Sequence, residues 1–394
     1  MWNVILSGLI TVAAADVDLR TLDGQGARGN LVGLDGEHVV VETTEGRQSL
    51  SVKSLMSLRS AGVVRSTEPL PVVIELVDGS TCRATDCVVR EGRFELTRPC
   101  GPAELAAGDI RSVRFAETSD TLLKEWTTLS AAASDSDRLI LVREESLNYH
   151  AGIVRGISAD RVEFDLDGEV LRVKRSNVLG VIYHRAAGRE LPPTVATLVD
   201  TTGSRWAIRS LSFEAGVFRA TIPAGTTLEL PADQVVEVDF SEGKVTYLGE
   251  LPWRLIEWTP YFGLREELPA RKAFFAPRFD RSAAGAPLML DGQQYARGVT
   301  LRSRSEIEFD LPEGYQRFKA GVGIDDAFRP HGNARVVVRG DDRVLAETHP
   351  AGTRPAEWID VDITGVRRLS ILVDFGEDMD LGDQVNCCEA RIVK

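Results

Sequence analysis

The residues predict an all-β chain, with four tandem small β-barrels followed by a β-sandwich. Three observations carry that reading. Short stretches alternate apolar and polar residues with a period of two, the mark of half-buried strands. A unit ending recurs four times before Phe240, and beyond Thr246 aromatic residues and Asp become more frequent. The bulk properties agree: 394 residues leave room for two or three domains, and a hydrophobic fraction of 43% suffices for packed cores. The net charge of -13 repels phosphate, which argues against a nucleic-acid partner.

The repeat is clearest at the end of each unit. Leu50 and Val52 run through Leu55 to Leu58, and Leu105 and Ala107 through Ile110 to Val113 and Phe115. Leu171 and Val173 run through Val178 to Val181, and Leu228 and Leu230 through Val235 to Val238 and Phe240. Each is an extended stretch, a polar tight turn and a short apolar strand. Inside the units, strands around Val39–Val41, Phe94–Leu96, Val162–Phe164 and Phe218–Ala220 follow Asp35-Gly36, Glu91-Gly92 and Ala215-Gly216 or precede Asp167-Gly168. Such dipeptides are hairpin signals, because Gly tolerates the positive φ that tight turns need. The units cover 16–61, 70–116, 137–185 and 193–241, with roughly five strands apiece. That is the size and pattern of a small SH3-like or Sm-like barrel, with no sheet expected to continue across 185–193. Between the second and third units, 120–136 reads as a short helix and linker. Leu122, Leu123, Trp126 and Leu129 recur at helical spacing, so Trp126 is expected to pack the helix on a neighbouring barrel.

The apolar run from Met1 to Ala15 is too short to span a bilayer. It ends in Ala13-Ala14-Ala15, the small-residue pattern of a signal-peptidase site, although no Lys or Arg precedes it. Residues 1–15 are therefore expected to be a signal peptide, giving an exported periplasmic or extracellular chain with no transmembrane segment after cleavage. Five cysteines leave at least one free thiol within a chain. Cys82, Cys87, Cys100, Cys387 and Cys388 read as core residues. One bridge within Cys82, Cys87 and Cys100 is the alternative.

The C-terminal third has its own landmarks. Tyr247, Leu248 and Leu251 are followed by Leu290-Asp291-Gly292 with Tyr295, Arg297 and Gly298. Ser305 to Pro312, Tyr315 and Phe318 come next, then the block Gly321, Gly323, Ile324, Asp325, Asp326. Val336 to Gly340, Trp358 to Gly365, Leu369 to Asp374 and Glu389 to Ile392 close the series. In this order they resemble the NPCBM/NEW2 family of carbohydrate-binding-module-like domains, over 246–394. The resemblance implies a jelly-roll β-sandwich of the discoidin-like kind, with a glycan ligand held on its loops. The residues it nominates are Trp253, Trp258, Arg302, Asp325, Asp326, Arg329 and Asn386, since Arg and Asp hydrogen-bond hydroxyls and a Trp face stacks on a pyranose. Trp253 and Trp258 read more readily as a seal at the barrel–sandwich junction, since buried aromatics more often pack than bind. Two departures predict weak or absent monosaccharide binding: Arg302 stands near a place where family members carry His, and Asp383 to Glu389 lacks the family's His and Trp.

Asp374, Asp378, Asp380 and Asp383 fall close together and could converge with Asp325 and Asp326 into a structural calcium site, since calcium takes six to eight oxygens. A solvated acidic loop is the alternative. No nucleophile elbow, P-loop or dinucleotide fingerprint occurs, and His150, His184, His331 and His349 are scattered, so no catalysis is expected. The chain thus reads as an exported, non-catalytic binding protein with a carbohydrate-binding-module-like domain on a repeat scaffold. The alternative is a structural or protein–protein scaffold, with a protein partner for the barrels, whose module has lost sugar binding.

Overall fold

A computed structural model describes residues 15–185, 189–259, 261, 276–377 and 379–394. The expected signal peptide lies outside the described residues except for Ala15, which opens the first strand. The chain divides into two units, Met1–Glu242 and Gly243–Lys394.

In the first unit all four repeats show one succession: strands that meander, a single 3-10 turn, and a closing strand that returns to the opening one. In the first copy Ala15–Thr21, Gly26–Leu34, His38–Thr43 and Gly46–Ser51 lead through Val52–Ser54 to Leu55–Ser60, where Leu58 pairs Leu19. The second runs from Val72–Leu76 to Ala107–Asp109 and Ile110–Arg114, with Val113 opposite Ile74. The third runs from Asp137–Arg143 to Arg175–Asn177 and Gly180–Ile182, with Val181 opposite Leu139. The fourth runs from Ala196–Asp200 to Ala232–Gln234 and Val235–Asp239, with Val238 opposite Leu198. Inward residues of the alternating strands, such as Val39, Val41, Phe94, Phe164 and Phe218, are buried. Glu91-Gly92, Asp167-Gly168 and Ala215-Gly216 form the expected tight turns, each with positive φ at both residues. Asp35-Gly36 does not. There the Asp35 carboxylate accepts the Glu37 and His38 amides at 2.7 Å each, a side-chain-capped turn instead.

The copies do not stand as separate barrels with separate sheets. The closing strand of the first pairs with that of the fourth, Leu58 opposite Val238, and that of the second with that of the third, Val113 opposite Val181. A bridge at Thr81–Arg205 joins the two pairs, and one at Leu34–Phe213 adds a second link between the first copy and the fourth. Hydrogen bonding therefore continues through one 19-stranded sheet among the described residues, and one hydrophobic core draws on all four copies. The physical reason is edge satisfaction. An exposed strand edge is a row of unpaired amides and carbonyls, and another copy offers a matching row.

The helix forms at Asp120–Ala131, with the Ser119 hydroxyl accepting the Leu122 amide as its N-cap. Trp126 is buried as expected, against Ile140, Leu179 and Ile182 of the third copy. A Cβ on Gly180 would lie 2.1 Å from the Val113 carbonyl oxygen and 2.8 Å from the Trp126 ring. Glycine there admits both the strand pairing and the indole.

A buried polar cluster ties the second copy to the fourth. Asp200 accepts Arg98 Nη2 at 2.5 Å, Trp206 Nε1 at 3.1 Å and the Thr202 and Ser204 amides. Arg98 Nη2 also lies 2.7 Å from Cys100 Sγ. All five thiols are free, so the alternative of a bridge within Cys82, Cys87 and Cys100 is not realised. Burial pushes the Cys82 thiol up to about 12, as befits an inert core cysteine.

The second unit is a β-sandwich. One sheet orders Arg278–Phe279, Gly298–Arg302, Gln384–Val393, Arg317–Ile324 and Glu357–Asp362, with Val245–Tyr247 also on Gln384–Val393. The other orders Trp253–Trp258, Ser305–Asp310, Arg368–Phe375, Ala334–Gly340 and Arg343–Thr348. Phe318, Val322 and Ile392 from the first meet Phe309, Ile371 and Val336 from the second in one core. A hairpin, Leu288–Leu290 with Gln293–Tyr295, forms a satellite core with Cys388.

The substitution Asp200→Ala should cost about 3 kcal/mol, because it leaves the Arg98 charge buried without its carboxylate. Urea unfolding followed by tryptophan fluorescence checks this. A loss below ~1 kcal/mol, the range of an exposed pair, would remove the cluster from the unit's supports.

Candidate functional site

The strand Arg317–Ile324 turns Ala320, Val322 and Ile324 into the core, while Gly321 carries no side chain on the other face. Trp358 of Glu357–Asp362 lies opposite Gly321 in register. A Cβ on Gly321 would come 3.1 Å from the indole, so the ring lies against bare backbone. Trp358 nevertheless remains 59% exposed. The Tyr295 ring, from the hairpin, stands 6.3 Å from it between centroids, tilted by 58°. Two aromatic rings thus form an open ledge at the edge of the larger sheet.

Beside the ledge three loops are knotted by charge. Asp291 and Gly292 make the hairpin turn, both with positive φ. The Asp326 carboxylate accepts their amides at 3.0 and 2.8 Å. Asp291 in turn accepts the Ala356 amide at 2.8 Å and Arg329 Nη1 at 2.5 Å. Arg329 donates further to the Gly352 and Arg354 carbonyls at 2.8 and 2.9 Å. The Ala356 amide, then the Arg329 guanidinium, hold the Asp291 carboxyl below the usual carboxylate range. The cluster fixes the hairpin carrying Tyr295 against the segment leading to Trp358. Ring faces beside preset donors and acceptors suit a ligand with apolar faces and hydroxyl edges.

Of the residues nominated from sequence, Asp326 and Arg329 belong to this cluster. Asp325 adjoins it but is buried, its carboxylate accepting the Ala327 amide at 3.0 Å. Asn386 is fully buried. It accepts Thr300 Oγ1 at 2.6 Å and donates to the Met289 carbonyl at 3.1 Å, bracing the hairpin from beneath. Arg302 is half-buried at the end of its strand. Trp253 lies in the other sheet against Phe279, 5.2 Å between centroids, and Trp258 is half-buried on the same strand. The seven do not converge on one place. In the sequence Tyr295 and Trp358 stand only among the landmarks of the fold. The available signal was an outward Trp on an alternating strand facing a Gly-x-Gly segment.

Nor do the described carboxylates gather. Among the described residues no group of three or more His, Cys, Asp or Glu side chains is placed to hold a metal ion. Asp374 pairs with Arg304 at 3.1 Å and Arg335 at 3.8 Å, and Asp326 with Arg329. Asp383 accepts Ser303 Oγ at 2.8 Å and the Asn333 amide at 3.0 Å. Asp380 is half-exposed, and Asp378 lies outside the described residues. Arginines thus meet Asp374 and Asp326, and a hydroxyl and an amide meet Asp383.

Residues 266–393 match the family model of the NPCBM/NEW2 domain. The C-terminal unit therefore carries a domain of that carbohydrate-binding-module family, as its landmarks suggested. Among solved structures, CBM51 from Clostridium perfringens GH95, in complex with methyl-galactose, is similar at 21% identity. The match covers 38% of this chain and 99% of that one, with a TM-score of 0.32. The CBM51-2 and INT domains of Clostridium perfringens ZmpB, with GlcNAc, match at 22% identity, 50% and 43% coverage and a TM-score of 0.33. The tandem CBM51 modules of a family 98 glycoside hydrolase from Streptococcus pneumoniae match at 13% identity, 82% and 88% coverage and a TM-score of 0.31. No curated protein matches the chain.

Because Arg304, Arg335 and Arg329 already meet these carboxylates, millimolar calcium should leave the Tm unchanged. A rise of several degrees, reversed by EDTA, would show that calcium displaces them, since a ligand bound only to the folded state stabilises it.

Proposed function

We propose that this is an exported, non-catalytic glycan-binding protein in which the C-terminal sandwich holds the sugar and the four-copy unit serves as its scaffold. The observation that carries the reading is Trp358, exposed over Gly321 beside Tyr295 and the Asp291–Arg329–Asp326 cluster, in a domain of a carbohydrate-binding-module family. We read the sandwich as a jelly-roll of the discoidin-like kind and the four copies as SH3-like barrels merged at their edges. Export rests on the apolar run ending in Ala13-Ala14-Ala15. The absence of catalysis rests on the lack of motif chemistry in the sequence.

An open ledge stacks on a ring without enclosing it, so a monosaccharide gains little. Single sugars should bind at about millimolar Kd or weaker, and oligosaccharides that cover both rings more tightly. Calorimetry with galactose, N-acetylgalactosamine, fucose and oligosaccharides containing them tests this. Trp358→Ala should weaken binding at least tenfold with the Tm preserved. Binding indifferent to Trp358 but lost in Arg302→Ala would move the site to the loops nominated from sequence. Silence toward every glycan would favour a scaffold whose module has lost its ligand.

A further inference from the structure

The first unit contains a second candidate site, remote in chemistry from the aromatic ledge. A cavity of about 530 Å³ is lined by Arg111, Arg138, Arg185 and Arg189, together with Ser134 and His184. Four arginines line one cavity in a chain whose net charge is -13.

What holds these arginines is mostly neutral. Arg111 Nη2 donates to the Ser130 carbonyl at 3.2 Å. Arg138, buried, donates to the Leu129 and Ala133 carbonyls at 2.5 and 2.7 Å. Arg185 donates to the Ala107 and His184 carbonyls at 2.6 and 2.9 Å and lies 4.8 Å from the centre of the Tyr183 ring. Carbonyls fix the geometry of a guanidinium without cancelling its charge. Two carboxylates bond to lining residues. Asp109 accepts Arg189 Nη1 at 2.6 Å, while Asp137 accepts the His184 and Val154 amides at 2.8 and 2.9 Å. Four cations against two carboxylates leave the lining positive.

Arg185 is the most telling of the four. Its Nε is shielded from solvent and makes no hydrogen bond. Burial, its largest influence, lowers its pKa, and nearby Asp137 opposes the shift. Two carbonyls take two of the five N–H donors of Arg185 and the shielded Nε–H takes no ligand, which leaves the remaining Nη hydrogens for a charge-assisted bond to an oxyanion. Guanidinium forks match the paired oxygens of carboxylate, sulfate or phosphate. The cavity exceeds the few tens of Å³ that a water molecule occupies, leaving room for an organic body behind the anion.

We propose that this cavity is an oxyanion-binding pocket for a small organic acid or ester, held by Arg111, Arg185 and Arg189. The test titrates the full chain at low ionic strength with D-glucuronate, glucose 6-phosphate, sodium sulfate and neutral glucose. The acidic probes should bind and glucose should stay silent, with affinity falling as NaCl rises. Glucuronate or glucose 6-phosphate binding more tightly than sulfate would support an organic ligand. Sulfate binding as tightly would reduce the proposal to the bare oxyanion and overturn its organic part. Arg111→Ala and, separately, Arg185→Gln should each weaken binding about tenfold with unchanged circular dichroism, while Trp358→Ala leaves it intact. Failure of all acidic probes to bind, or equal binding by whichever arginine variant folds, would overturn the pocket. Loss in Trp358→Ala would reassign the anion to the sandwich.

Discussion

Each closing strand of the repeat unit has two edges, and its own opening strand covers one of them. The rest of the unit follows from how the other edge is covered. Two rungs of four residues result, Leu19–Leu58–Val238–Leu198 and Ile74–Val113–Val181–Leu139, every member buried. Each rung sets two closing strands in the middle and two opening strands outside. Backbone hydrogen bonding and apolar burial are satisfied at the same positions. Gly180 extends the logic sideways, since its missing side chain leaves space for Trp126 and so fastens the inserted helix.

Much of the fold was legible in the sequence because its signals are local. Alternation placed the strands, positive-φ dipeptides placed three of four hairpins, and helical spacing placed Trp126 on a neighbouring copy, which the structure shows to be the third. What remained hidden was the merging of the copies. Leu58 and Val238 read as ordinary core positions of separate barrels, and nothing in a short apolar strand tells one covered edge from two. The buried Arg98–Asp200 pair was hidden for the same reason, since its partners lie in different copies.

The site divides along similar lines. Family landmarks led to Asp326 and Arg329, which do meet, and to Asn386, which faces inward because Thr300 and Met289 occupy its amide. A list of polar residues cannot report which ones the core has already engaged. Trp358 and Tyr295 escaped because each reads as a packing residue until Gly321 is seen beneath the indole. The acidic loop shows the same limit of sequence proximity. Its carboxylates are close in sequence, but Arg304 and Arg335 reach Asp374 from other strands.

The nesting of the copies, first with fourth and second with third, bears on how the chain is made. The second and third copies can pair as soon as both have left the ribosome. The first waits for the last, since Arg59 and Glu237, bonded across that seam, lie 178 residues apart. Contacts of such separation slow folding, because a long loop must close before they form. Through that interval the Leu55–Ser60 edge is bare in a chain still being synthesised, the condition under which strand edges recruit the wrong partner.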